Sequence, residues 1–371
     1  MTQKVVSLVS MLLICGSVAA EPVKHPSKST AALPLPAPKE TKSAPKEPPA
    51  NELFGSATSP APLASRAIGS YARGCLAGGV ALPINGPDWQ VMRLSRNRNW
   101  GHPRLLDFLE RFAADARNLD GWPGLLVGDM SQPRGGPMVT GHSSHQIGLD
   151  VDIWLTPMPD RTLTTEEREN MVAVSMLKDP FTVDPDKWTP LHTKLIKRVA
   201  FYPEVDRIFV HPAIKKVLCE QAGEDRAWLA KVRPWWNHYY HFHVRVTCPP
   251  DARDCEPQKP LSGDDGCGQE LTNWYAMLKK AAIAGAGQPA TGTLRKSAPT
   301  MNKLPRECGT VLSAGFEPPV PINADTLPEP VLKALASKES GPPPPQLDAA
   351  ARRALIAASS AVSLPERNPK R

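Results

Sequence analysis

The chain has 371 residues and a net charge of +7, with 42 prolines, 9 histidines and 7 cysteines. A surplus this modest, carried partly by proline-rich ends, gives no sign of a nucleic-acid module. No apolar run is long enough to span a membrane, so no membrane anchor is expected.

Residues 1–20 read as a secretory signal peptide: Lys4 opens it, Val5 to Cys15 is apolar, and Val18-Ala19-Ala20 suits cleavage. Residues 21–68 are rich in Pro, Lys, Ala and Ser and bury too little apolar surface to fold, so they are expected to form a flexible linker. Residues 69–288 are the expected folded domain, ample for one core. Residues 289–371 are expected to be a mostly disordered Pro- and Ala-rich tail, with a short helix over 349–362.

Within the domain, Leu105, Phe108, Leu109, Phe112 and Ala116 recur at helical spacing ahead of a stop at Gly121. Leu125 to Met130 reads as a short buried strand. The loop from Ser131 to Pro137 carries Arg134 among glycines, a candidate to grip a substrate carboxylate with two parallel hydrogen bonds. A surface arginine paired with any acid is an equal reading.

The stretch Gly141 to Trp154, GHSSHQIGLDVDIW, follows at once. Its Leu149, Val151, Ile153 and Leu155 alternate with Asp150, Asp152 and Trp154, the period of a strand with one buried face. Beyond it, Thr164-x-x-Glu167 is a capping box opening a helix toward Leu177, and 179–186 is an acidic loop that could add an accessory metal ligand. Thr189-Pro190 starts a helix with His192 on its exposed side, residues 207–210 form a strand, and His211-Pro212 begins another helix. Trp235 and Trp236 read equally as a substrate groove floor or as core. The stretch Asn237 to Val246, NHYYHFHVRV, then sets Tyr240, Phe242, Val244 and Val246 on one face and His241, His243 and Arg245 on the other. A last helix covers about 270–284.

The two stretches hold five of the nine histidines. Two histidines and a carboxylate leave the fourth position of a tetrahedral zinc open, as catalytic sites require. His145, Asp152 and His243 are therefore the expected zinc ligands, with Asp150 supporting a ligating imidazole from behind. The helical zinc-protease signature H-E-x-x-H is missing from the sequence. Loss of the signal peptide would leave six cysteines, an even number that favours disulfides, with fifteen pairings open.

Ser144-His145-x-x-Gly148-x-x-x-Asp152 followed by His241-x-His243 resembles the lysostaphin, D-Ala-D-Ala dipeptidase and hedgehog group of zinc folds. The runs SQPRGGP, RLSRNRNWGHP, RIFVHPAIK and KVRPWW narrow the resemblance to the penicillin-insensitive murein endopeptidase family over roughly residues 70 to 275. The resemblance implies zinc on His145, Asp152 and His243, with His142 as a further metal-binding candidate and His238 and His241 as catalytic residues. It implies pairings Cys248–Cys255, Cys219–Cys267 and Cys75–Cys308. It implies a periplasmic enzyme that cuts D-alanyl–diaminopimelyl cross-links of peptidoglycan with water activated by zinc, leaving no acyl-enzyme for a β-lactam to trap. The rival readings are a D,D-carboxypeptidase and a murein-binding protein with a structural zinc. The expected fold class is α+β, one domain with a central, mostly antiparallel sheet bearing the zinc site and helices packed on its other face.

Overall fold

The computed structural model describes residues 48–283 and 299–315. The expected signal peptide, residues 21–47 of the linker and residues 316–371 of the tail lie outside the described residues. In chain order come helix α1 (Ala50–Gly55), hairpin β1 (Arg66–Ser70) and β2 (Arg73–Ala77), and strands β3 (Val80–Ala81), β4 (Trp89–Val91) and β5 (Trp100–Gly101). Helix α2 (Pro103–Asp120), strands β6 (Leu125–Val127) and β7 (Asp150–Trp154), helix α3 (Thr165–Asn170) and strands β8 (Leu177–Asp179) and β9 (Thr182–Val183) follow. Then come α4 (Pro190–Ala200), β10 (Val205–Val210), α5 (Pro212–Gln221), β11 (Val232–Pro234), β12 (His241–Val246), α6 (Gln269–Ile283) and α7 (Glu307–Ser313).

Six strands form a mixed sheet in the order β11-β10-β12-β7-β6-β4. Its four central strands pair antiparallel, and each edge strand pairs parallel with its neighbour. The fold class is therefore α+β, as the pattern of elements implied. The expected alternation sets the faces: Val151 and Ile153 of β7 and Phe242, Val244 and Val246 of β12 are wholly buried in the main core. Helix α2 adds Leu105, Phe108, Leu109 and Phe112, and α4 adds Leu195, Ile196 and Val199 to the same cluster. Burying whole Leu, Ile and Phe side chains stabilises by roughly 2 kcal/mol each before chain entropy is counted. The opposite face of β7 and β12 is left to polar groups.

Three helices start with the same chemistry. His102-Pro103 opens α2 and His211-Pro212 opens α5; in both, the histidine Nδ1 accepts from the backbone N–H two residues on, at 3.2 Å. Proline at the first helical position has no N–H to leave unsatisfied. In α4, Thr189 is the cap and His192 the third residue of the box, its Nδ1 accepting from Thr189 N at 3.0 Å. His192 was expected on the exposed side of this helix but is buried, stacked on Trp188 with Nε2 3.0 Å from the Leu155 carbonyl oxygen. Its position in the first turn, where backbone N–H groups seek acceptors, draws it inward. The box at Thr164 and Glu167 forms as expected, but the helix it opens ends at Asn170 and does not reach toward Leu177, which begins β8.

The packed body is wider than residues 69–288. Ala50 and Phe54 of α1, Ile68, Cys75, and Leu304, Cys308 and Val311 form a second core cluster. Residues 50–68 were expected in the linker and 299–313 in the tail. Phe54 is one aromatic in a polar, proline-rich stretch, too sparse for composition to register. The Cys75–Cys308 disulfide draws the late segment back onto β2. Cys219–Cys267 and Cys248–Cys255 complete the three pairings that the resemblance implied.

Burial pushes His102 and His211 down to about 4. Their unfolded value is near 6.5, so between these limits the unfolded chain binds protons that the folded chain refuses. Stability supplied by the neutral imidazoles is present above pH 6.5 and lost on acidification, by about 2 kcal/mol per histidine at pH 5. His211→Asn keeps a capping oxygen and removes the titration. The fall in Tm from about pH 7.5 to about pH 5 should shrink in this variant; an unchanged fall would place the acid sensitivity elsewhere.

Candidate active site

The pairing of β7 with β12 sets Asp152 directly across from His243 and Asp150 across from Arg245. Opposed residues of an antiparallel pair share a face, so all four side chains stand on the polar side of the sheet. His145 arrives from the loop before β7 with its backbone in the left-handed region at φ 64°. That conformation is uncommon for a residue bearing a Cβ, and it is held by the His145 N–H donating to Asp150 Oδ2 at 3.0 Å. Gly148, at φ 72°, closes the turn, and a Cβ there would lie 2.8 Å from the His102 nitrogen. The loop thus folds back over the strand it precedes.

Three donor atoms converge. His145 Nε2 lies 3.1 Å from His243 Nδ1 and 3.4 Å from Asp152 Oδ1, and His243 Nδ1 lies 3.2 Å from Asp152 Oδ1. Ligands at zinc's usual 2.0–2.1 Å around a tetrahedron stand about 3.3 Å apart, so the triangle has the size of one tetrahedral face. Asp152 Oδ1 is buried and has no hydrogen-bond partner among the described residues, a cost that a cation would remove. The residues therefore fit the metal expected of them. Burial alone would raise the Asp152 carboxyl, but the imidazoles of His241, His145 and His142 outweigh it and hold the group well below the carboxylate range.

Asp150 takes the supporting place expected of it. It lies 3.1 Å from His243 Nε2, the ring nitrogen facing away from the triangle, and accepts from Arg245 Nε at 2.8 Å and Nη2 at 3.1 Å. Arg245 in turn stacks on Tyr71, 4.1 Å above the ring centre.

His142 meets the other oxygen of Asp152, with Nδ1 3.5 Å from Oδ2, and its Nε2 lies 3.0 Å from Asp129 Oδ2. Its ligand atom is still within 4.8 Å of those of His145 and Asp152, within reach of an ion. His241 Nε2 also lies 3.5 Å from Asp152 Oδ2, and its ring centre is 4.9 Å from that of His238. Burial pushes His241 down to about 4. His238 follows Asn237, another left-handed residue at φ 70°, and its Nδ1 sits 2.6 Å from the Trp236 carbonyl oxygen. Proton placement on that ring follows: Nδ1 donates and Nε2 keeps its lone pair. Six of the seven expected site residues are thus gathered in one place.

Arg134 is the seventh, and its surroundings give it different work. It is 4% exposed, and its guanidinium donates to the carbonyls of Ser59, Val311, Leu312 and Ala314. It caps the last turn of α7, where unpaired carbonyls need a cation. The glycines around it suggested an open loop; they instead let the backbone pack tightly beneath residues that composition had assigned to the tail. Sequence reasoning also missed Asp129, which is 5% exposed and receives Arg96, Arg98 and His142. The basic run from Arg93 to Arg98 was a signal for it, since closely spaced arginines near a site need a buried acid.

A family model described as penicillin-insensitive murein endopeptidase matches residues 67–313. The chain belongs to the penicillin-insensitive murein endopeptidase family. A relative of that name from Haemophilus influenzae is 48% identical over 210 residues, covering 56% of this chain and 72% of the relative. Relatives of the same name from Klebsiella pneumoniae and Escherichia coli are each 41% identical over 256 residues, covering 69% of this chain and 89% of theirs. The family match takes in Cys308 and the whole of α7, the segment that Arg134 caps.

Replacing Arg134 by Gln leaves buried carbonyls short of donors and is expected to cost about 2 kcal/mol, lowering Tm by several degrees. Turnover by the folded enzyme well below Tm should be unchanged. A raised KM at unaltered Tm would restore the substrate-binding role.

Proposed function

We propose that this chain is a periplasmic, zinc-dependent murein endopeptidase that hydrolyses the D-alanyl–meso-diaminopimelyl cross-links of peptidoglycan. The observation that carries the reading is the buried triangle of His145, Asp152 and His243, with His241 and His238 beside it. Zinc, when bound there, supplies a Lewis acid for the peptide carbonyl and lowers the pKa of water to about 7.

The chain's own residues do the rest. His241 keeps a neutral imidazole on the cleft wall and takes the proton of the attacking water. The water oxygen bonds to the carbonyl carbon of D-alanine. His238, whose Nε2 holds a lone pair at rest, takes up the proton that His241 removed from the water and steadies the oxyanion or passes that proton to the departing amine, so that the C–N bond breaks to a carboxylate and an amine. Asp150 and Arg245 hold the His243 ring in orientation from behind. No serine nucleophile takes part, in keeping with insensitivity to penicillin. Three disulfides support an oxidising compartment, and among the described residues no helix is long and apolar enough to cross a membrane.

Purified cross-linked muropeptide dimers incubated with the mature protein should become monomers by mass spectrometry. The conversion should stop with a chelator and return with zinc. Loss of terminal alanine alone, with dimers intact, would favour a D,D-carboxypeptidase; binding without turnover would favour a murein-binding protein. His241→Ala should retain one zinc by metal analysis and a folded circular dichroism spectrum while losing hydrolysis by 100-fold or more. Near-full activity would remove His241 from the role of base.

A further inference from the structure

The catalytic cleft is lined by Asp152, His142 and His241 and also by Arg93 and Arg96. The three arginines nearest it differ in how they are employed. Arg93 donates to the carbonyls of Arg168, Glu169 and Met171. Arg98 is 10% exposed and donates to Asp129 and Thr140. Arg96 is 48% exposed and uses Nη1 on Asp129, at 3.1 Å. Among the described residues, its Nε and Nη2 make no hydrogen bond.

Charge points the same way. Arg96 and Arg98 both meet the single carboxylate of Asp129, so this cluster carries one positive charge more than Asp129 balances. A structural requirement to neutralise buried Asp129 is already met by Arg98, the more buried partner. The backbone carrying Arg96 is also fixed at a cost. Arg93 and Asn97, on either side of the single turn Leu94–Arg96, have φ of 55° and 50°. Glu169 holds that turn by accepting from the Ser95 N–H at 2.7 Å and its hydroxyl at 2.9 Å. Residues kept in such sparsely populated conformations are strained and persist where surrounding structure imposes them. A half-exposed arginine on a braced turn is prepared to bind something.

We propose that Arg96 binds the free carboxylate next to the scissile amide of the substrate. This rests on the endopeptidase reading. In a D-alanyl–diaminopimelyl cross-link, the carbon bearing the scissile nitrogen also bears a free carboxylate. That anion enters the cleft with the bond to be cut, and a guanidinium recognises it with directed, charge-assisted hydrogen bonds. Arg96 is thereby a specificity residue for peptides that end in a carboxylate immediately beyond the cleaved bond.

The test uses two synthetic dimers, one with this carboxylate and one with the carboxamide, on the full-length enzyme and its Arg96→Gln and Arg96→Lys variants. The wild type should favour the acid by about tenfold or more in kcat/KM, mostly through KM. Arg96→Gln should cut the acid dimer about tenfold less well, cut the amide dimer as the wild type does, and lose the preference. Arg96→Lys should recover part of it. Equal cleavage of both dimers by the wild type would overturn the proposal, as would a preference that survives in Arg96→Gln. A parallel fall on both dimers in both variants would overturn it too, marking Arg96 as a support of Asp129 and His142. A wild type that cuts neither dimer, yet binds zinc, would instead sink the endopeptidase reading and the proposal with it.

Discussion

Five backbone pairings between β7 and β12 decide where every group of the site can stand. Side chains alternate along a strand, so a slip of one residue would bury Asp152 and His243 in the core and turn Val151 and Val244 outward. The core forbids the slip, because Val151, Ile153, Phe242 and Val244 are already packed beneath α2 and α4. The polar face is thus aligned by the apolar face behind it. His145 alone reaches the triangle from a loop, and its position is tied to the same strands through Asp150.

Asp150 joins the two halves of this arrangement. One carboxylate touches the His145 backbone, the far side of the His243 ring and the Arg245 guanidinium. Such a group is stable in a dry interior only while all its partners stay in place. Four non-glycine residues among those described take left-handed backbone angles: Arg93, Asn97, His145 and Asn237. All four lie on segments that deliver cleft groups. The rest of the fold stabilises these strained positions, and their clustering separates the cleft from the relaxed surface around it.

Much of this was legible in the sequence because strand periodicity and ligand chemistry are local. The alternation in residues 149–155 and 241–246 gave both faces correctly, and the His-x-His spacing put His241 and His243 on one of them; Tyr240, expected beside Phe242 on the apolar face, precedes β12 and lines the cleft instead. The misses depend on distant partners. Arg134 looks solvent-facing until Ser59 and Val311, 75 and 177 residues away, are folded onto it. Asp129 is one acid just past a buried strand, and its signal, the basic run from Arg93 to Arg98, lies more than 30 residues away and does not say which acid it meets. His192 misled because a helical wheel ranks polarity, whereas a first-turn imidazole answers to unpaired backbone groups. Phe54 and the segment 299–315 were masked by proline-rich neighbours whose composition dominated theirs.

The link between Cys75 and Cys308 spans 233 positions of sequence. A polypeptide is made from its N-terminus onward, so β2 and the strands of the site exist before the segment that closes over them. Until residues 311–314 emerge, three of the four carbonyls that accept from Arg134 are missing, and α1 lacks part of its cover. The final lock is therefore supplied by residues 299–315, the last segment that the structure describes. A hydrolase directed at the wall around its own cell would then complete its fold only once residues 299–315 have followed the rest of the body into a compartment where the disulfide can form.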